Sequence, residues 1–118
     1  MNIIVASKDS ARLIAALELA LASAALGQSP RLFLQGEAAG LIVLPLRAPQ
    51  DAARKAAGLP SLALILAEAA AMEVPIIVCQ SGLLLSGHGP DDIWPDAQMG
   101  GLISFLTGGA AGISPIVY

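Results

Sequence analysis

The chain has 118 residues, of which 56% are hydrophobic and 13% charged, and its net charge is −3 at pH 7. That length fits a single domain, residues 1–118, and the acidic balance, with only Phe33, Phe105, Trp94 and Tyr118 as aromatic side chains, excludes a nucleic-acid surface. The one cysteine, Cys79, excludes an intrachain disulfide and any multi-cysteine metal site, and leaves a free thiol suited to a reducing, cytoplasmic setting.

"NIIVAS" opens the chain as a short run apolar on both faces, which predicts a buried parallel strand. Ser7, Asp9 or Ser10 can then cap a helix that runs to about Leu26, with Leu13, Leu17, Ala20, Leu21 and Ala24 as its inner stripe and Gly27 as its left-handed stop. "PRLFLQG" predicts a second strand bounded by Pro30 and Gly36. "GLIVLPL" reads as a third strand or a buried loop, with Pro45 counting against a central ladder position.

"RAPQDAARKAAGLP" is the most polar stretch and predicts a surface helix fragment and loop ending at Gly58 and Pro60. Ser61 can cap the next helix, whose stripe is Leu62, Ile65, Leu66, Ala69 and Met72, with Glu68 and Glu73 turned outward. "PIIVC" follows as a strand, "GGLISFL" as a helix core and "SPIVY" as a final strand. Strands alternating with helices imply a three-layer α/β/α domain around a mostly parallel sheet of about five strands.

Residues 97–118 carry no charged side chain and are long enough to span a bilayer, but Gly100-Gly101, Gly108-Gly109, Gly112 and Ser114-Pro115 cut them into short pieces. No basic cluster flanks them, and the charges of "MNIIVASKDSAR" follow its apolar stretch, the reverse of a signal peptide. No membrane span is therefore expected. Apolar content above the usual soluble level of roughly 45–50% instead predicts a homo-oligomer, in which part of the excess meets another subunit.

In parallel sheets, ligands bind beyond the carboxyl ends of the strands. Topology brings three segments there: Ser7-Lys8-Asp9, Gln35-Gly36-Glu37 and Cys79-Gln80-Ser81-Gly82. If Gln80 to Leu85 starts a helix or tight turn, its backbone N–H groups favour a thiolate at Cys79. Ser81 can then donate a hydrogen bond to the sulfur, Gly82 lets the backbone come close, and Lys8 or His88 adds positive charge. Glu37 is placed to act as an acid or base, or simply as a helix N-terminal carboxylate. Free cysteine is also among the most often buried residues, and a buried one is inert. His88 sits in the Gly/Pro-rich "SGHGPDD", where a histidine is ordinarily solvated. A Cys79, His88 and aspartate metal set has the right residue types but no ligand spacing, so no metal is expected. No dinucleotide, Walker or GxSxG motif is present.

The order "NIIVAS" with its alanine-rich helix, then "RLFLQGEA", then "GLPSLALILAEAAAMEVPIIVCQSGL", resembles the DsrE/DsrF-like family of small sulfur-relay proteins along nearly the whole chain. Its most specific part is a lone cysteine just after an apolar strand, preceded by a helix and a "VP" step. The resemblance implies a five-stranded parallel sheet between helices, assembly into trimers or hexamers, and a persulfide carried on Cys79. It also implies sulfur donor and acceptor proteins as partners. Sulfurtransferase members of the family have an arginine-containing segment after the cysteine. Here "QSGLLLSGHG" follows, which is closer to the family's uncharacterised branch.

Two further readings stand beside the sulfur carrier. One is a non-catalytic module that binds a small ligand at the strand ends, with Cys79 as packing. The other is a structural subunit of a hetero-oligomeric complex. The sulfur-carrier reading requires Cys79 as nucleophile, Gln80, Ser81, Gly82, Ser7, Lys8, Glu37 and His88 around the substrate, and neither a metal nor an organic cofactor.

Overall fold

In the computed structural model, which describes residues 1–109 and 112–118, the apolar runs become strands and the alanine-rich stripes become helices. The order is β1 (Asn2–Val5), α1 (Ser10–Ala25), β2 (Arg31–Leu34), a 3-10 helix (Gly36–Ile42), α2 (Asp51–Ala56) and α3 (Leu62–Ala71). Then come β3 (Ile76–Cys79), α4 (Gln80–Leu85), a 3-10 turn (Pro90–Asp92), β4 (Ala97–Gly100), α5 (Leu102–Thr107) and β5 (Ile116–Val117). The five strands form one sheet in the order β4-β3-β2-β1-β5, and every pairing is parallel. This is the α/β/α architecture expected from the alternation of elements.

Capping follows side-chain chemistry. Asp9 caps α1, its Oδ1 accepting the Ala11 N–H at 3.0 Å, and Ser61 caps α3, its Oγ accepting the Leu64 N–H at 3.2 Å. Gly27 adopts φ +83° just past α1, a conformation that a Cβ disfavours.

The sheet buries its two faces unequally. Successive side chains of a strand point to opposite sides, so Ile3, Val5, Leu32, Leu34, Ile76 and Val78 share one face. They meet Leu13, Leu17 and Ala20 of α1, Leu62, Leu66 and Ala69 of α3, and Leu83 of α4 in the larger core. On the other face Ile4, Phe33 and Cys79 are covered by Phe105 of α5. The Phe33 and Phe105 rings lie 5.1 Å apart, and the Arg31 guanidinium sits 4.6 Å from the Phe105 ring while donating from Nη1 to its carbonyl oxygen at 2.6 Å. Three steps in one direction along the sheet, then a jump back over it from β4 to β5, produce this division. Right-handed crossovers put helices on one face for the former and on the opposite face for the latter.

One alternative of the sequence reading is decided by the structure, and one strand was not expected. "GLIVLPL" takes the loop alternative. Its first residues complete the 3-10 helix, Val43 makes one antiparallel bridge to Ile93, and the Leu44–Pro45 peptide is cis. The strand beside β3 is instead β4, "AQMG", which lies just before the helix expected over "GGLISFL". Among the described residues no helix is long and apolar enough to cross a membrane.

Candidate functional site

β3 delivers Cys79 to the carboxyl end of the sheet, where its backbone pairs with Gly100 of β4. The chain leaves β3 toward the face covered by α1 and α3, and leaves β4 toward the opposite face through α5. The gap between the two strand ends is thus a topological switch point, the place where open parallel sheets accept ligands. The thiol stands at its edge.

Cys79 is also the N-cap of α4, a position normally held by serine, threonine, aspartate or asparagine. Its Sγ accepts the Gly82 N–H at 3.4 Å and lies 3.4 Å from Ser81 Oγ. The residue is 6% exposed. Burial pushes the thiol pKa up, while the Ser81 hydroxyl and the backbone N–H groups of Gly82, Gly36 and Ser81 pull it down more strongly, so the pKa lies below the ordinary thiol value. A lowered pKa raises the fraction of thiolate, the nucleophilic form.

Gly82 is required by packing. A Cβ there would overlap the carbonyl oxygen of Gly36 and sit 2.8 Å from its carbonyl carbon. This contact locks α4 against the 3-10 helix and brings the Gly36 backbone to the sulfur. Gly36 itself adopts φ +56°.

Cys79 opens onto two clefts. One, of about 480 Å³, is bounded by Gln35, Gly36, Glu37, Ser81 and Leu85. The other, of about 300 Å³, lies over the switch point between Gln80 and Leu84 on one side and Gly100, Gly101 and Leu102 on the other. A separate groove of about 390 Å³ between α1 and α2, beside Glu18 and Arg54, holds no nucleophile.

Of the residues singled out from sequence, Gln80, Ser81, Gly82 and Glu37 line these clefts with Cys79. Lys8 lines an adjoining hollow that shares Glu37 as a wall. Ser7 and His88 line neither cleft of the thiol. Ser7 Oγ accepts the Asp9 N–H at 3.0 Å and so shapes the turn that carries Lys8, whereas His88 Nδ1 sits 3.7 Å from Asp92 Oδ2. Among the described residues no three His, Cys, Asp or Glu side chains gather as a metal site would need. Gln35 belongs to both clefts, and its Oε1 is buried without a hydrogen-bond partner. Its position after β2 was legible from the sequence, but nothing in the sequence marked its carboxamide.

Fold and site together define an all-parallel α/β protein that presents one thiol at the switch point of its sheet. Neither a family model nor a curated protein matches the sequence. Among solved structures, the fold is similar to that of the YchN protein from E. coli, with a TM-score of 0.74 and 18% identity over 99% of this chain and 97% of that one. It is also similar to MTH1491 from Methanobacterium thermoautotrophicum, described as a protein of unknown function, with a TM-score of 0.70 and 13% identity over 99% of this chain and 96% of that one. The architecture shared with both is the one that the DsrE/DsrF-like resemblance implies.

Proposed function

We propose that this protein is a sulfur carrier that holds sulfane sulfur as a persulfide on Cys79. The observation that carries the reading is a single thiol, capping a helix at the switch point of the sheet, with a lowered pKa and a cleft on either side. In the loading step the Cys79 thiolate attacks the outer sulfur of a donor persulfide, R–S–SH. The donor's S–S bond breaks, its thiolate leaves, and Cys79–S–SH forms. An acceptor thiolate reverses this chemistry on its own sulfur, so the cycle has no net oxidation and uses neither metal nor organic cofactor. The N–H groups around the sulfur act by holding negative charge on Cys79 before attack and after delivery.

Alkylation of the native thiol against pH tests this site. The wild type is expected to react at a lower pH than a free thiol does. Ser81→Ala, which removes the strongest favourable contact while keeping the backbone donors, moves the midpoint to higher pH. A thiol that reacts only after denaturation would identify Cys79 as packing and leave a non-catalytic binding module.

Self-association belongs to the same proposal. The layer built by β4, α5 and β5 comes from residues 97–118, without a charged side chain, and it exposes Ile103, Leu106, Ile113 and Val117. A second copy suits such a surface because copies meeting through uncharged faces escape the repulsion that a net charge of −3 imposes elsewhere. Native mass measurement should show an oligomer that Ile103→Lys with Leu106→Lys converts to monomer. A wild type that stays monomeric at about 10 μM, well above the Kd of a stable assembly, overturns the idea.

A further inference from the structure

Next to the larger cleft of Cys79 lies a hollow of about 320 Å³, and the two are contiguous, since Glu37 and Gly40 line both. Lys8 and Arg47 line this hollow and not the cleft of the thiol. Among the described residues the one ion pair is His88 with Asp92, so Lys8, Arg47 and Glu37 stand around the hollow without a salt-bridge partner. Two cations and one carboxylate, none neutralised by another, form a charge pattern that invites a ligand carrying both signs.

Two of the three charges stand on backbone that the fold holds in place near the thiol. Lys8 rides on the turn fixed by Ser7 and by the Asp9 cap of α1. Glu37 lies in the first turn of the 3-10 helix, whose Gly36 backbone packs on Gly82, three residues past Cys79. Each cavity has a volume near the low end of small-molecule sites, about 300–1,000 Å³, so a ligand bridging them is the size of a short peptide.

We propose that the molecule exchanging sulfur with Cys79 is a low-mass zwitterionic thiol. Its carboxylate faces Lys8 and Arg47, its ammonium faces Glu37, and its sulfur extends past Glu37 and Gly40, which border both hollows, into the cleft of Cys79. The inference rests on the persulfide reading above for its chemistry, and on the charged hollow alone for its ligand class. The transfer is the exchange already described: the outer sulfur moves from the persulfide of the small thiol to Cys79, and the small thiolate leaves and takes a proton from water.

Two experiments separate the ligand class from the chemistry. In the first, S-methylglutathione, a zwitterion that cannot transfer sulfur, is titrated into the Cys79→Ser protein and followed by NMR. Saturable binding is expected, weakened about fivefold by Arg47→Met or Lys8→Met, the factor that an exposed charge pair supplies at its upper range. Lys55→Met removes the same charge at the exposed end of α2 and should leave binding unchanged. In the second, Cys79 of the wild type is loaded from glutathione persulfide and from the neutral 2-mercaptoethanol persulfide. The zwitterionic donor should half-saturate at about fivefold lower concentration, an advantage lost in Arg47→Met.

Equal loading from both donors, with no effect of Lys8 or Arg47, overturns the zwitterion inference and leaves the carrier reading intact. Such a result would favour a macromolecular donor. Charge-dependent binding of S-methylglutathione without loading from either donor overturns the carrier reading and upholds the ligand class. Absence of both binding and loading overturns the two together.

Discussion

Cys79→Ser protein is expected to fold as the wild type does and to take up no sulfane sulfur. The two halves of that result have separate causes. Serine is among the best N-cap residues, so its hydroxyl can take over the Gly82 N–H now held by Sγ, and α4 keeps its start. The exchange places a hydroxyl beside Ile4, Phe33 and Phe105, a cost of about 1 kcal/mol that the better cap partly offsets, so Tm should move by about 5 °C or less. Sulfur transfer, by contrast, needs a polarisable thiolate, and a serine hydroxyl does not ionise in this pH range. Retention of labelled sulfur by the serine variant after exposure to a competent persulfide donor would remove Cys79 from the mechanism. The variant should also lose a pH signature. Because the fold lowers the thiol pKa, wild-type stability rises as pH climbs from the folded pKa to the unfolded one, and is lost again as pH falls through the folded value. The serine protein lacks that step, which denaturant melts across the window would show.

Gly82→Ala should damage the protein far more than its single methyl group suggests. The added carbon would overlap the Gly36 carbonyl oxygen, and the obstacle is backbone on both sides, with no flexible side chain to swing away. Either α4 or the 3-10 helix must shift, and both wall the larger cleft of the thiol. A loss of about 3 kcal/mol, near the upper end for overpacking, corresponds to a fall in Tm of roughly 10 °C for a chain of this size. The same shift pulls the Gly82 and Gly36 N–H groups from the sulfur, so the surviving folded protein should alkylate with a midpoint at higher pH. Gly89→Ala serves as the comparison, since a Cβ there meets nothing within 4 Å and its φ of −133° is open to any residue. Equal melting of the two alanine variants would contradict the packing account.

The larger core was readable in the sequence because its strands are continuous apolar runs and its helices carry their stripes at helical spacing. Leu13, Leu17, Ala20, Leu62, Ile65, Leu66 and Ala69 are all buried as that spacing requires. The cysteine at a strand end was equally plain. β4 was not, since "AQMG" is an edge strand with no residue fully buried, and its residue types give no apolar run to find. Without β4 the switch point beside Cys79 is invisible, and so is the wall formed by Gly100 and Gly101. "GLIVLPL" misleads in the opposite way. Of its apolar residues only Ile42 is fully buried, and it joins Ala38 and Ala39 on one side of a 3-10 helix held by the Gly36–Gly82 contact, a partner that only the fold supplies. His88 looks near Cys79 along the chain. Gly87, at φ +81°, turns the backbone after α4, and the imidazole meets Asp92.

β5 is only two residues long, yet it fills the far edge of β1, with Tyr118 N–H donating to the Ile4 carbonyl at 2.7 Å and Ala6 N–H to the Tyr118 carbonyl at 2.9 Å. Of the five strands β1 is made first and β5 last. One edge of β1 finds β2 early, while the other stays an unpaired template until the three intervening strands have been made. The thin layer over Cys79 is completed in that same late interval. Until β5 docks, that bare edge can pair with another chain, so edge-to-edge aggregation threatens the sheet most in this interval.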